Sequence, residues 1–82
     1  YSGKVAVVRT GDTFQVTWTV GGQTIVGIGI GKRDYLAVSF RSGGDIGIAV
    51  YNQNQDGWIG IWAPVGSQEI GTETWKRISI SP

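Results

Sequence analysis

The first candidates for acid–base chemistry in this 82-residue chain are its carboxylates, because the sequence has no His and no Cys. Serine–histidine and cysteine–histidine nucleophile systems are therefore excluded, and so are the usual zinc sites. A pair of carboxylates acting as in glycoside hydrolysis is the remaining route to catalysis. Whether such a pair can form depends on where the carboxylates lie in the predicted fold.

Most of these carboxylates lie in predicted turns, where Asp commonly hydrogen-bonds its own backbone. The turn residues are Asp12, Asp34, Asp45 and Asp56. Glu69 begins a predicted strand, and only Glu73 falls inside one. Glu73 is either a surface or rim carboxylate paired with Arg77 or Lys76, or part of a binding site. We favour the first alternative and predict that the chain is not an enzyme, has no catalytic residue, and holds neither a cofactor nor a metal ion.

The segment Trp58-Ile59-Gly60-Ile61-Trp62 has residue types that suit binding. In a strand, its two Trp residues lie on one face with Gly60 between them. The two indoles would then border a flat slot over Gly60. Trp suits such work because an apolar ring carries an N–H donor. The residues predicted to contact a ligand or an interface are Trp58, Gly60, Trp62, Trp75 and Glu73. The stacking platforms for a sugar or a small apolar ligand would be Trp18, Trp58, Trp62 or Trp75.

These residues must be positioned by strands, because alternation with period two runs from end to end and no segment of ten residues carries a helical stripe. Seven strands are predicted, each bounded by turn residues: Gly3–Arg9, Thr13–Val20, Thr24–Ile30, Tyr35–Phe40, Ile46–Tyr51, Trp58–Ala63 and Glu69–Ile80. The connections are about two to six residues long, which joins only antiparallel neighbours.

The predicted fold is therefore a single all-β domain spanning residues 1–82, an antiparallel up-and-down meander curled into a barrel. A two-layer β-sandwich is the alternative. Because the strand number is odd, the first and last strands point the same way. Closure then requires a parallel seam, or else the barrel stays open at an edge or lacks a preceding N-terminal strand.

The second strand has the clearest alternation, which predicts its inner and outer residues. Phe14, Val16, Trp18 and Val20 should face the core, and Gln15, Thr17 and Thr19 should face solvent. Since a barrel of this size has an interior just wide enough for side chains, we expect a filled interior. A ligand would then bind on the outer face or at a rim.

Glycine is abundant, with 14 residues, and several interrupt strands. They are Gly27, Gly29, Gly47, Gly60 and Gly71. Glycine inside a strand either lets the sheet bend and seats an aromatic ring from the neighbouring strand, or opens a groove for a ligand. We favour the first alternative.

Composition excludes several classes of partner. A net charge of +1 with scattered Lys and Arg argues against nucleic acid, and no apolar run approaches the roughly 20 residues of a membrane-spanning helix. The absence of Met, even at position 1, indicates that the chain is processed or trimmed at its start. Removal of a signal peptide would place the protein in the periplasm or outside the cell, whereas removal of a tag would say nothing about location.

Motifs along most of the chain resemble a family of small, uncharacterised bacterial proteins that are exported. The motifs are Val16-Thr17-Trp18, Gly21-Gly22-Gln23-Thr24, Gly27-Ile28-Gly29-Ile30, Leu36-Ala37-Val38, Gly47-Ile48-Ala49-Val50-Tyr51, Asp56-Gly57, Gly60-Ile61-Trp62 and Gly71-Thr72-Glu73. The resemblance implies a further strand before Tyr1 and no particular activity. In shape alone, the fold is similar to the calycin-like barrels of avidins and lipocalins.

The third, fifth and sixth strands are apolar on both faces, although no helix is predicted to cover them. In these strands large residues alternate with Gly, Ala or another apolar residue. Either the small-residue face tolerates water or another subunit lies against it, and we favour the subunit. The expected function is a non-enzymatic structural or self-associating module that forms a homo-oligomer through Trp58, Trp62 or the terminal strands. The alternative is a module that binds a sugar or small apolar ligand.

Overall fold

The computed structural model describes residues 3–76 and 80–81, which form one curled β-sheet without a helix. Seven strands run up and down: β1 (Lys4–Thr10), β2 (Thr13–Val20), β3 (Gln23–Gly31), β4 (Tyr35–Ser42), β5 (Asp45–Asn54), β6 (Gly57–Pro64) and β7 (Gly71–Lys76). A two-residue strand, β8 (Ile80–Ser81), follows. The predicted all-β antiparallel meander is confirmed, and its sheet curls into a half-barrel.

A short parallel strand pair lies at one edge of the sheet. Strand order is β7-β6-β5-β4-β3-β2-β1-β8, so β7 and β8 lie at opposite ends of the order. β8 pairs in parallel with β1, where Val7 is opposite Ile80 and Val8 is opposite Ser81. Parallel pairing, one of the three predicted arrangements, is therefore formed over these two residue pairs, and the sheet as a whole is a half-barrel. The predicted strand Glu69–Ile80 begins later, at Gly71, and its residues 77–79 lie outside the described part of the chain.

Alternation within each strand divides the sheet into an inner and an outer face. On β2, Val16 and Trp18 are buried, while Phe14 and Val20 are half-buried and pack against them. Gln15 and Thr19 are exposed, and Thr17 is half-buried. The predicted orientation of β2 is therefore confirmed. The core on the inner face consists of Val7, Val16, Trp18, Leu36, Val38, Ala49, Tyr51, Trp58 and Trp75.

Three strand glycines seat an aromatic ring from the preceding strand, as predicted. The rings of Phe40, Tyr51 and Trp62 cover Gly47, Gly60 and Gly71, which are their direct partners in the antiparallel register. At Gly27 and Gly29 the covering side chains are the aliphatic Val38 and Leu36. These contacts let the sheet coil tightly without leaving a gap over the glycine.

Candidate functional site

A cavity of about 310 Å³ lies at one end of the inner face. We call it the end pocket. Its lining comes from the ends of β2, β4 and β6 and the starts of β3 and β5, around the turns at residues 21–22 and 43–44. The lining residues are Trp18, Val20, Gln23, Ile25, Phe40, Ser42, Asp45, Tyr51, Trp62, Pro64 and Glu73. The core side chains of Trp18 and Tyr51 are part of this lining, so the pocket adjoins the packed interior of the half-barrel.

Aromatic rings form a continuous wall behind the end pocket. The ring centroids of Trp62 and Phe40 are 6.3 Å apart, and those of Phe40 and Trp18 are 6.1 Å apart, both in edge-to-face geometry. Trp18 contacts Trp75 at 6.2 Å, and Trp75 stacks on Tyr51 at 3.9 Å. Because each ring is held by the next, the wall is preorganised rather than adaptable.

Glu73 lies at the floor of this wall and accepts hydrogen bonds from three aromatic side chains. Trp18 donates from Nε1 to Oε2 at 2.9 Å, and Tyr51 donates its hydroxyl to Oε1 at 3.2 Å. Trp75 Nε1 also donates to Oε2. The prediction of a surface carboxylate paired with a neighbouring cation is therefore wrong for Lys76, which lies on the opposite, outer face of β7. Arg77 lies outside the described residues.

The Glu73 contacts predict different effects for two substitutions. Glu73→Leu leaves the indole N–H groups of Trp18 and Trp75 without this acceptor, and should lower the free energy of unfolding by about 2 kcal/mol or more. Glu73→Gln keeps one carbonyl oxygen for the indoles and an amide that can donate to the Tyr51 oxygen, so its cost should be about 1 kcal/mol. Urea denaturation of both variants checks this order, and equal costs would contradict it.

The predicted slot between Trp58 and Trp62 is filled by another side chain. Trp58 is 3% exposed and belongs to the core, and the Tyr51 ring occupies the space over Gly60. Trp75 is also buried, at 5% exposure. Trp75 is part of the aromatic wall, but neither Trp75, Trp58 nor Gly60 lines the end pocket. The predicted residues that line it are Trp62, Glu73 and the predicted stacking platform Trp18.

Trp62 lies on the inner face of β6, whereas a subunit contact through this side chain was expected. Its ring packs over Gly71 and against the core. The indole Nε1 of Trp62 is buried without a hydrogen-bond partner in the described residues. The outward-facing residues of β6 are instead Ile59 and Ile61, which are 50% and 47% exposed.

Three polar residues at the mouth of the end pocket were not predicted from the sequence. Gln23, Ser42 and Asp45 each lie at the end of a strand beside a turn. Asp45 pairs with Ser42 across the β4–β5 hairpin, and Asp45 is exposed. The turn residues beside them are recognisable in the sequence. The curl of the sheet is what brings the β2–β3 and β4–β5 hairpins together at the mouth of the end pocket.

The outer face of β3, β5 and β6 is apolar and uncovered. It presents eight large aliphatic side chains that are 42% to 64% exposed: Val26, Ile28, Ile30, Ile46, Ile48, Val50, Ile59 and Ile61. We call this set the outer apolar face. The predicted two-sided apolar character of these strands is confirmed. The expectation that the small-residue face is the outer one is wrong, because the small residues on the inner face are buried: Gly29, Gly47, Ala49 and Gly60.

A shallow groove runs along β4 in the middle of the outer apolar face. The outward residues Ala37 and Ser39 are small, whereas their register partners on both neighbouring strands are large. Ser39 lies between Ile28 and Ile48, and Ala37 lies between Ile30 and Val50. The face therefore has ridges on β3 and β5 and a depression between them.

Within residues 3–76 and 80–81, no group of three or more acidic side chains is close enough to hold a metal ion. The same part of the chain contains no apolar helix of membrane-spanning length.

Comparison of the chain with protein-family models, curated protein sequences and solved structures found no match. The resemblance to small exported bacterial proteins therefore stays a prediction. Function is inferred below from the two surfaces that the fold creates, the end pocket and the outer apolar face.

Proposed function

We propose that this protein is a non-enzymatic, self-associating β-module whose outer apolar face packs against the same face of a second copy. The observation that carries the proposal is the exposure of eight large aliphatic side chains on a sheet whose inner face already has its own core. Soluble monomers rarely expose contiguous apolar patches beyond about 300–600 Å², and larger patches usually mark interfaces. Covering this face would remove that apolar surface from water.

A second copy is the occupant that the shape and charge of the face favour. Ridges on β3 and β5 flank the β4 groove, so two such faces can interdigitate as the sheets of a β-sandwich do, about 10 Å apart. Arg41 is the single charged residue at the outward positions of β3 to β6, all of which the structure describes. Two-fold pairing would thus bury few charges, and the same patch would serve both partners.

Ile48→Lys tests this association because Ile48 is 64% exposed at the centre of the outer apolar face. A charge there would be buried without a partner in the assembly but would stay solvated in a free chain. We expect the wild type to sediment as a dimer or larger species and Ile48→Lys to sediment near the 8.8 kDa of one chain. Circular dichroism should show the same β signal for both.

The matched control is Ile70→Lys, because Ile70 is also 64% exposed but lies in the loop before β7. It should leave the sedimentation of the protein unchanged. Ile61→Lys, on the β6 border of the face, should weaken the assembly as Ile48→Lys does. A wild-type chain that sediments as a monomer at high concentration would contradict the proposal. So would equal dissociation by Ile48→Lys and Ile70→Lys.

The non-enzymatic part of the proposal is supported by the contacts of Glu73 on β7. Both oxygens of Glu73 accept hydrogen bonds from the fixed rings of Trp18, Tyr51 and Trp75, which suits a structural acceptor. Glycoside-hydrolase assays of the purified protein should show no turnover. Turnover that is lost in Glu73→Gln would overturn this part.

A second candidate function, binding of a small ligand, is favoured by the end pocket. Its volume of about 310 Å³ lies at the lower limit of typical ligand pockets. Pockets at the mouths of β-barrels are common ligand sites, and this one combines an aromatic wall with a polar mouth. The two candidate functions use opposite faces of the sheet, so they are compatible.

A further inference from the structure

We infer that the end pocket binds one neutral sugar ring, which stacks on the aromatic wall and hydrogen-bonds to Asp45, Ser42 and Gln23. This inference rests on the second candidate function, in which the pocket takes a small ligand. It adds the chemical class of that ligand and the side chains that recognise it.

The size of the pocket sets the first limit on the ligand. A cavity of about 310 Å³ accepts roughly one ring-sized molecule at the lower end of known ligand pockets. The interior below it is closed by Tyr51, which is 0% exposed, and by Trp18, which is 5% exposed. A long acyl chain entering this pocket would therefore meet the packed side chains of Tyr51 and Trp18.

The aromatic wall supplies rigid apolar rings on which the C–H face of a sugar can pack. Phe40 and Trp62 line the pocket and meet edge to face. Each ring is seated on a glycine of the next strand, Gly47 for Phe40 and Gly71 for Trp62. Because the rings are fixed before a ligand arrives, stacking on them costs little side-chain entropy.

The mouth of the pocket supplies the polar groups that hydroxyls need. Asp45 offers acceptor oxygens, Ser42 both donates and accepts, and Gln23 has an amide that does both. All three line the cavity on the side of the turns, opposite the floor formed by Glu73. Several hydroxyls on one small ring match this set, whereas a purely apolar ligand would leave the groups unpaired.

The charges of the lining disfavour acidic ligands. Asp45 and Glu73 are both acidic, and the lining contains no Lys or Arg among the described residues. A phosphate or a fatty-acid carboxylate would therefore meet like charge at the mouth of the pocket. Neutral hydroxylated rings avoid that repulsion.

The test is a titration of the full chain followed by NMR of the four indole N–H groups and the backbone amides. The probes are methyl glucoside, methyl galactoside and methyl mannoside, with cyclohexanol as an apolar ring and octanoate as an acidic ligand. We expect at least one glycoside to shift the Trp62 indole and the amides near residues 23 and 42–45, and octanoate to shift none of them.

Substitutions then test which residues form the binding site. Asp45→Ala and Ser42→Ala should each weaken glycoside binding, Asp45→Ala by about tenfold or more because it removes hydrogen bonds to a charged acceptor. Asp56→Ala is the matched control, since Asp56 is a turn aspartate at the opposite end of the half-barrel. It should leave the dissociation constant unchanged, and all three variants should keep the wild-type β signal.

Each contrary outcome shows which part of the inference is wrong. If cyclohexanol alone shifts the pocket signals, the pocket binds a small ligand but the sugar assignment is wrong. If no probe moves them, neither the sugar assignment nor the binding function stands. If a glycoside binds but Asp45→Ala and Asp56→Ala weaken it equally, Asp45 does not recognise it.

Discussion

Replacing Trp18 with Ala should lower the free energy of unfolding by about 3–5 kcal/mol, the range for large-to-small substitutions of buried aromatic residues. Trp18 is 5% exposed and meets Phe40 and Trp75 edge to face. Its Nε1 also donates to Glu73 across the interior, so Ala leaves both a cavity and an acceptor with one donor fewer. Such a loss is large for a domain of this size, whose total stability is on the order of 5–10 kcal/mol.

Urea unfolding followed by circular dichroism measures this loss. Trp18→Phe is the graded control, because it keeps a ring but removes the N–H that Glu73 accepts, and it should cost less than Trp18→Ala. Val8→Ala, at an outward position that is 45% exposed, should change stability by less than about 0.5 kcal/mol. If Trp18→Ala and Val8→Ala unfold at the same urea concentration, Trp18 is not part of the core.

Replacing Gly60 with Ala, the addition of one methyl group, should destabilise the protein by about 1–3 kcal/mol. A Cβ on Gly60 would overlap the Tyr51 ring and the carbonyl oxygen of Val50. The Tyr51 ring is fully buried and stacks on Trp75, so displacing it would break packed contacts. The added methyl must therefore push β5 and β6 apart or displace the ring from its contacts with Trp75 and Glu73.

Gly44→Ala is the matched control for Gly60→Ala. No atom lies within 4 Å of a Cβ placed on Gly44, and its φ is not positive. This substitution should be neutral, or stabilise by about 0.4–1 kcal/mol by restricting the unfolded chain. Thermal unfolding of the two variants compares them directly. Equal melting temperatures would show that the Tyr51 ring is not tightly packed over Gly60.

Local patterns in the sequence were sufficient to predict the strands. The predicted second strand, Thr13–Val20, has the observed bounds, because its alternation is uninterrupted and turn residues flank it on both sides. The fifth strand is longer than predicted and ends at Asn54 instead of Tyr51. Its last residues are polar and exposed, so no burial pattern marks them, and pairing with β6 is what keeps them extended.

The candidate site was predicted only in part, because its residues are distant along the chain. Glu73 and Trp18 were both singled out in the sequence, yet they are 55 residues apart and meet only across the interior. Asp45 was interpreted as an ordinary turn aspartate. It lines the end pocket because β4 and β5 bring their hairpin to the same rim as the β2–β3 turn.

The sequence by itself determined the all-β class, the up-and-down order, the inner face of β2 and the apolar character of both faces of β3, β5 and β6. These follow from period-two alternation and short turns, which are local properties of the chain. Only the tertiary structure decided that the ring of Tyr51 covers Gly60, that Glu73 points inward and that the end pocket exists. Alternation predicts which residues share a face of the sheet. The cross-strand register and the curl of the sheet decide which of those side chains contact one another.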